Sequence, residues 1–267
     1  MDKVSHALVE FREMDALAAQ ESPLHRMHPL IKLLVTLAYI VFVVSFDKYA
    51  LSALIVMVLY PILLFQISGI PVRTCFYKLR VVLPLVCAVG LFNPFFDRAP
   101  LLFVGSVAVS GGVISMLTLM LKGIFALMAS FLLIATTPMD QICAALRILR
   151  VPSLLVTLLP LTYRYISVML REVSVMSEAY HLRAPKQRGI HVSAWGSFLG
   201  QLLLRSMDRA DALYQSMQLR GFHGEFYYAE SPRCTPGAVG YGVGCVAFFA
   251  LARYVDLPQA LGNLFVR

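Results

Sequence analysis

Long apolar runs separated by short polar or basic loops dominate this 267-residue chain. The runs predicted to span a membrane cover residues 30–46, 49–67, 81–96, 113–135 and 237–254. A helix needs about 20 mainly apolar residues to cross a bilayer, so the first run is slightly short. The pattern predicts an all-α integral membrane protein with about five transmembrane helices.

Turn and helix-start signals divide the chain between these runs. Pro84 is expected to interrupt the third span, because proline removes a helical hydrogen bond. Residues 99–112 alternate glycine, serine and valine, which fits a small hairpin or an irregular loop better than a helix. Thr136-Thr137-Pro138 is a start signal for a short helix that ends near Arg150.

Two long amphipathic helices are predicted next, the first ending at Arg183 and the second running from about Ser193 to Leu219. In both, apolar residues recur at steps of three or four, while charged residues lie off that stripe. Each helix ends in an arginine followed by a stop signal, Pro185 in the first and Gly221 in the second. The charged residues predicted to support the function of this helix pair are Arg164, Arg171, Glu172, Glu178, Arg205 and Arg209.

The predicted organisation has four segments. They are an amphipathic N-terminal segment at 1–28, a four-span membrane domain at 29–135, the region of the long helices at 136–225, and a link with the fifth span at 226–267. Between residues 141 and 225 there are ten basic and five acidic residues, an excess of five positive charges. By the positive-inside rule this region and the N-terminus face the cytoplasm, and the C-terminus faces outside.

Composition places the chain in a membrane and argues against a nucleic-acid partner. It is 59% hydrophobic and 14% charged, whereas soluble domains are about half apolar and about a quarter charged. Cytoplasmic basic loops account for the net charge of +8 without nucleic acid, and membrane lipids are the expected surroundings. The five cysteines form no Cys-x-x-Cys pair and are expected to be reduced or buried thiols.

No set of residues predicts catalysis, a metal centre or a cofactor. His25 and His28 could contact a metal ion, but two histidines do not make a site. The chain has no Gly-x-x-x-x-Gly-Lys-[Ser/Thr] phosphate loop, so it is not itself an ATPase. Lys122 lies in a predicted span and is either a functional residue or a bundle-facing lysine paired with a carbonyl or an acidic neighbour.

A series of short motifs carries a family resemblance, most clearly over residues 28–225. In chain order they are Lys32-Leu33-Leu34, Asn93-Pro94-Phe95, Ala135-Thr136-Thr137, Arg150-Val151-Pro152, Leu161-Thr162-Tyr163-Arg164-Tyr165, Glu172, Met176, Ala179, Arg183 and Arg220-Gly221. With these motifs the chain resembles the transmembrane T component of energy-coupling-factor (ECF) transporters. The Thr-Tyr-Arg-Tyr sequence favours the CbiQ-like branch of cobalt and nickel systems.

The resemblance assigns a role to the two helix ends that carry an arginine. The family's two Ala-Arg-Gly signatures correspond to Leu182-Arg183-Ala184 and Leu219-Arg220-Gly221. Both depart from the signature at the first position, and the first also lacks the glycine. The resemblance implies that each segment binds an ATPase subunit, a role that suits the planar fork and apolar stem of arginine. On physical grounds alone, each arginine could instead complement the dipole at a helix C-terminus.

The resemblance also implies partners and a location. Two ABC-type ATPase subunits, as a homodimer, would bind below the membrane, and each would receive one of the two coupling helices that end at Arg183 and Arg220. Their closure on ATP would move a separate substrate-binding membrane S component, CbiM-like and with or without a small CbiN-like subunit. The chain would be a multi-pass, non-catalytic protein of a prokaryotic inner or plasma membrane, with its N-terminus and coupling helices in the cytoplasm.

Three alternative functions remain open at the level of sequence. The chain could be the T component of a vitamin transporter, because substrate recognition would lie on another subunit. A self-contained channel or secondary transporter would carry paired ionisable residues in its spans and an internal repeat, and neither is found in the sequence. A membrane scaffold without a transport role would be distinguished by whether an ATPase co-purifies with it.

Overall fold

The computed structural model describes residues 2–20, 22–48, 50–92, 100–104, 107–185, 187, 189–224 and 235–254. Helices account for most of these residues, so the predicted all-α class is confirmed. The chain divides into two compact units. The helical-bundle unit comprises Leu17–Thr137 and Pro232–Arg267, and the long-helix unit comprises Met1–Ala16 and Pro138–Ser231.

The elements are numbered in chain order. They are α1 (Asp2–Ala18), α2 (Pro29–Ser45), α3 (Leu51–Val56), α4 (Leu59–Ser68), α5 (Val72–Leu79), α6 (Leu83–Leu91), β1 (Pro100–Val104), β2 (Val107–Ser110), α7 (Gly111–Thr136), α8 (Met139–Ile148), α9 (Ser153–Arg183), α10 (Val192–Leu219) and α11 (Pro236–Tyr254). The long-helix unit contains α8, α9, α10 and α1 up to Ala16, and the other elements belong to the helical-bundle unit.

By length and composition, three of the described helices could cross a membrane, namely α7, α9 and α11. A fourth span is possible if Ala53–Ser68 and Val72–Leu79, which are bent by 113°, count as one broken span. Helix α2 is apolar but has 17 residues. Because α9 meets the same criterion as the spans, its expected position in the cytoplasm stays a prediction.

The second predicted span is two helices rather than one. Pro61 has no N–H group, so the carbonyl of Met57, four residues earlier, cannot accept the usual helical hydrogen bond. The chain breaks between α3 and α4 at this point, and the buried Tyr39 hydroxyl donates a hydrogen bond to the Met57 oxygen instead, at 3.0 Å. The ring of Tyr39 packs 4.5 Å from that of Tyr60 and 5.3 Å from that of Phe249 on α11, measured between centroids.

The third predicted span begins with its proline instead of being interrupted by it. Pro84 lies in the first turn of α6, where a missing N–H group removes no helical bond. The expected interruption is therefore wrong. The rest of this span, with the Asn93-Pro94-Phe95 motif, lies outside the described residues. Of the two forms predicted for the next segment, a hairpin or an irregular loop, the structure has the hairpin, because β1 and β2 pair in antiparallel fashion.

Helices α6 and α7 pack closely through two glycines. A Cβ atom added at Gly90 would lie 2.7 Å from Cγ of Met120, and one added at Gly123 would lie 2.3 Å from Cγ1 of Val86. Both distances are below any contact that real Cβ atoms make. The small residues therefore set the separation of the two helices, as is common in membrane bundles.

Helices α2 and α7 are antiparallel, and each provides a lysine to the C-terminal end of the other. Lys32, near the start of α2, donates to the carbonyl of Thr136 at the end of α7. Lys122 of α7 donates to the carbonyls of Val44 and Phe46 at the end of α2. These carbonyls have no partner within their own helix, and positive charge is favourable there. The structure thus gives Lys122 the role of a bundle lysine paired with backbone carbonyls.

Candidate functional site

The candidate site lies in the long-helix unit, on the antiparallel helices α9 and α10, which the family resemblance predicts to be coupling helices. The first half of α9 and the second half of α10 form the two walls of one groove. Near the middle of both helices, Arg205 donates to the carboxylate of Glu172 and forms an ion pair with it. Two predicted supporting residues are thereby brought together across the helix pair.

The first predicted tip, Leu182-Arg183-Ala184, ends α9 and is open to solvent. Leu182 is 84% exposed, and Arg183 is exposed. Ala184 ends the helix with its N–H bonded to the Tyr180 carbonyl at 3.0 Å. Its φ of −131° is a conformation that any residue adopts. This tip therefore needs no glycine, which accounts physically for its departure from the Ala-Arg-Gly signature.

Tyr180 also orders the loop that follows the first tip. Its hydroxyl donates to Oε1 of Gln187 at 2.6 Å and accepts a hydrogen bond from the backbone N–H of His191 at 3.2 Å. His191 in turn caps α10, because its Nδ1 accepts from the N–H of Ser193 at 3.3 Å. One side chain on α9 therefore fixes the start of α10. The tyrosine was not predicted as a site residue, since the pairing depends on how the loop folds back.

The second predicted tip, Leu219-Arg220-Gly221, ends α10 with a different backbone. Leu219 is 89% exposed, and Arg220 is exposed. Gly221 has a φ of +80°, and its N–H bonds to the Gln218 carbonyl at 2.9 Å. The next N–H, of Phe222, bonds to the Met217 carbonyl at 3.0 Å. This pair of bonds defines a Schellman motif, which requires the left-handed conformation that glycine adopts at no steric cost.

The two arginines lie on opposite sides of the Glu172–Arg205 ion pair. Arg183 follows Glu172 by 11 residues, and Arg220 follows Arg205 by 15 residues. At 1.5 Å per residue, Arg183 lies about 16 Å from Glu172 along α9, and Arg220 lies about 22 Å from Arg205 along α10. Because the helices are antiparallel, these distances extend in opposite directions. The two tips therefore lie at opposite ends of the helix pair.

The remaining supporting residues are distributed along the same helices. Glu178 accepts a hydrogen bond from the Ser174 hydroxyl at 3.4 Å, and Arg164 and Arg171 are exposed on α9. Arg209 lines the groove between α9 and α10, which has a volume of about 790 Å³. Part of the predicted apolar stripe of α9, including Leu158 and Tyr165, faces this groove and not a packed core.

The N-terminal helix α1 packs against α9, a contact that the sequence did not predict. The hydroxyl of Tyr163 donates to the Asp15 carboxylate at 2.6 Å, and the Phe11 ring lies 4.7 Å from the Tyr163 ring. Tyr163 belongs to the Thr-Tyr-Arg-Tyr motif, so α1 packs on the part of α9 that carries the resemblance. The contact joins residues 148 positions apart, and no local sequence pattern identifies such a pair.

The two histidines considered as metal ligands have structural hydrogen bonds. Nδ1 of His25 lies 2.7 Å from the Ser22 hydroxyl, and its Nε2 lies 3.1 Å from the Leu17 carbonyl. His28 caps α2 by accepting from the N–H of Leu30 at 3.3 Å. Within the described residues, no three His, Cys, Asp or Glu side chains lie close enough together to hold a metal ion.

The described cysteines are free thiols, as expected. Cys75 and Cys143 are buried, Cys87 and Cys245 are partly buried, and Cys234 lies outside the described residues. Burial, with a smaller contribution from the nearby Asp140 carboxylate, raises the pKa of the Cys143 thiol to about 11. This cysteine is therefore protonated and poorly reactive at neutral pH.

These features define an all-α protein with membrane-spanning candidates and an exposed pair of long helices. The chain belongs to the CbiQ family, described as cobalt transport protein, whose match covers residues 20–228. The family resemblance inferred from the sequence motifs is therefore confirmed.

Curated relatives agree with the family assignment. The chain is 31% identical to the nickel permease LarQ of Lactiplantibacillus plantarum over 34% of its length, and 30% identical to the cobalt transport protein CbiQ of Rhodobacter capsulatus over 40% of its length. An uncharacterized protein of Methanocaldococcus jannaschii is 28% identical over 43% of the chain. The alignments span only 33%, 45% and 40% of these relatives, in the same order.

Proposed function

We propose that this protein is the T component of an ECF-type importer for cobalt or nickel, and that its coupling helices transmit ATPase motion to a separate S component. The observation that carries the proposal is the pair of exposed tips. An arginine preceded by an almost fully exposed leucine ends each coupling helix. Family membership and the cobalt and nickel names of two relatives support the choice of cargo.

The chemistry of the tips favours burial in a partner. A single exposed leucine is ordinary on a protein surface. Here the same pairing of leucine and arginine occurs at both helix ends, although their backbones differ. In a partner's groove the apolar side chain can pack against the walls, while the neighbouring guanidinium binds a carboxylate bidentately. We therefore assign Leu182, Arg183 and Ala184 to one ATPase subunit, and Leu219, Arg220 and Gly221 to the other.

The antiparallel geometry gives this assignment a mechanism. When two ATPase subunits close on ATP, two tips held in separate grooves move relative to each other. The Glu172–Arg205 ion pair joins the helices near their middle, so movement at one tip would be passed to the other helix. The remaining charged residues, Arg164, Arg171, Glu178 and Arg209, would keep the surrounding surface solvated. ATP hydrolysis itself belongs to the partner subunits.

The test is retention of the ATPase subunits by purified variants. If each arginine is a buried anchor, Arg183→Ala or Arg220→Ala leaves a partner carboxylate unpaired, and binding should weaken by about 2–5 kcal/mol per site. The double variant should lose more than either single one. Arg→Lys should restore binding only in part, because lysine lacks the planar fork. Arg73→Ala is the control, because it removes an exposed arginine from α5, away from the coupling helices.

A role limited to the helix dipole gives a different result. Each substitution would then cost about 0.3–1 kcal/mol of helix stability, and the ATPases would stay bound. Uptake of Co²⁺ and Ni²⁺ is measured in the same strains. Wild-type retention and uptake in the double alanine variant would end the coupling-helix assignment.

A further inference from the structure

Lys32 is a buried lysine that has no role in the proposed ATPase-binding tips. It is 5% exposed, and its Nζ donates to the backbone oxygen of Thr136 at 2.8 Å. Thr136 is the last residue of α7, and the last carbonyls of a helix have no partner within the helix. In a buried position water cannot replace that partner. The ammonium group of Lys32 therefore completes the final turn of α7 and lies at the negative end of its dipole.

This hydrogen bond lies next to the boundary between the two compact units, which falls between Thr137 and Pro138. Proline disfavours the helical conformation at the residue before it, so α7 ends here. The carbonyl of Pro138 then starts α8 by accepting from the N–H groups of Gln141 and Ile142 at 3.0 and 3.1 Å. The chain thus leaves the helical-bundle unit two residues after the carbonyl that Lys32 holds.

Burial is continuous around this end of α7. Thr136 and Thr137 are almost fully buried, and the Thr136 hydroxyl donates to the Leu132 carbonyl at 2.7 Å. The cavity beside Lys32 has a volume of only about 10 Å³, which is about the space of one water molecule. The final turn of α7 therefore has little room to rearrange while Lys32 is bound to it.

We propose that Lys32 is a positioning residue for coupling, which holds the end of α7 so that displacement of the long-helix unit is passed into α7 and α2. Without the hydrogen bond from Lys32, the last turn of α7 would unwind when the long-helix unit moves, and the movement would not reach the rest of α7. This inference rests on the proposed function, because it requires a long-helix unit that is moved by ATPases.

The test compares transport with ATP hydrolysis in the complex purified through this chain and reconstituted in proteoliposomes. Lys32→Met keeps the length of the side chain and removes the donor. We expect the ATPases to remain bound and to hydrolyse ATP, while the Co²⁺ imported per ATP falls on the order of tenfold, as for loss of a hydrogen bond to a charged group. Lys32→Arg, which keeps a donor, should restore part of the ratio.

Lys122→Met is the matched control. It removes a lysine bound to backbone carbonyls in the same unit, but those carbonyls belong to Val44 and Phe46, far along α2 from the boundary. Its ratio of Co²⁺ to ATP should stay near that of the wild type. An unchanged ratio in Lys32→Met, or an equal fall in Lys122→Met, would overturn the inference. Absence of any ATPase from the wild-type complex would instead refute the proposed function.

Hydrogen exchange on the wild-type complex tests the same idea without a variant, and decides it if Lys32→Met does not fold. Amides of residues 132–137 should be equally protected with and without ATP, because Lys32 holds this turn throughout the cycle. Fast exchange of these amides in the ATP-bound complex would show that the turn opens, and would contradict the proposal.

Discussion

At the scale of single residues, the two helix tips carry the same chemistry on different backbones. Ala184 ends α9 at negative φ, whereas Gly221 ends α10 at a φ of +80°. A side chain with a Cβ atom is strained at the second position and unstrained at the first. The glycine of the second tip is therefore a requirement of the helix end, and no such requirement applies to the first.

Placing the same residue at both tips tests this difference. Gly221→Ser should destabilise the end of α10 by about 1 kcal/mol, because serine is forced into the left-handed region. Ala184→Ser should stay within about 0.5 kcal/mol, as for an ordinary surface substitution. Hydrogen exchange of residues 217–222 and 180–185 measures both. Equal loss of protection at the two tips would contradict the assignment of a Schellman motif to only one of them.

At the scale of elements, packing of α6 against α7 depends on a contact that tolerates no added carbon. The Cβ of Gly123→Ala would meet Cγ1 of Val86, a stiff β-branched side chain. Gly90 faces Met120, which is unbranched and can move. The two glycines are therefore not equivalent, although both lie at the same interface.

Gly123→Ala should lower the stability of the purified protein by about 1–3 kcal/mol, the range for overpacking. Val86→Ala should relieve the clash, so that the double variant is more stable than Gly123→Ala alone. Gly244→Ala is the control, because nothing lies within 4 Å of its added Cβ. Unfolding in mixed detergent micelles provides the measurement. A double variant less stable than Gly123→Ala would show that the contact with Val86 is not the cause.

Glycine, proline and short residue patterns predicted the helix ends and the hairpin, because these features depend on a few neighbouring residues. The hairpin followed from Gly, Ser and Val alternation, α8 from Pro138, and the ends of the coupling helices from Pro185 and Gly221. The break between α3 and α4 also has a local cause in Pro61. The type of partner of Lys122, a carbonyl or an acidic neighbour, was predicted, but the individual carbonyls of Val44 and Phe46 depend on how α2 packs on α7.

At the scale of the whole molecule, the topology remains the main prediction. The apolar helices and the family fit a membrane-embedded protein, and the charge distribution predicts which loops face the cytoplasm. Helix α9 is the critical element, because it is apolar enough to span a membrane and yet is assigned to the cytoplasm. If the C-terminal end of α9 lies outside the cell, α9 spans the membrane; if it lies inside, the cytoplasmic assignment holds.

Labelling of single cysteines in a cysteine-free background settles this point. Asp47→Cys should react with a membrane-impermeant maleimide in intact cells, because its loop is predicted to face outside. Arg73→Cys and Gln187→Cys should react only in inverted membrane vesicles. If α9 crosses the membrane, Gln187→Cys reacts in intact cells instead, and the cytoplasmic assignment of the coupling helices is wrong.

The exchange of lysines between α2 and α7 bears on how the protein is made. A ribosome completes α2, which ends at Ser45, well before α7 begins at Gly111. Until then the carbonyls at the end of α2 lack Lys122, and Lys32 lacks its acceptor. Alone in a bilayer, each helix would leave a charge and terminal carbonyls without these partners, and unpaired backbone groups and charges are costly there. We therefore expect a late step in the assembly of this membrane protein, at which α2 and α7 form these hydrogen bonds together.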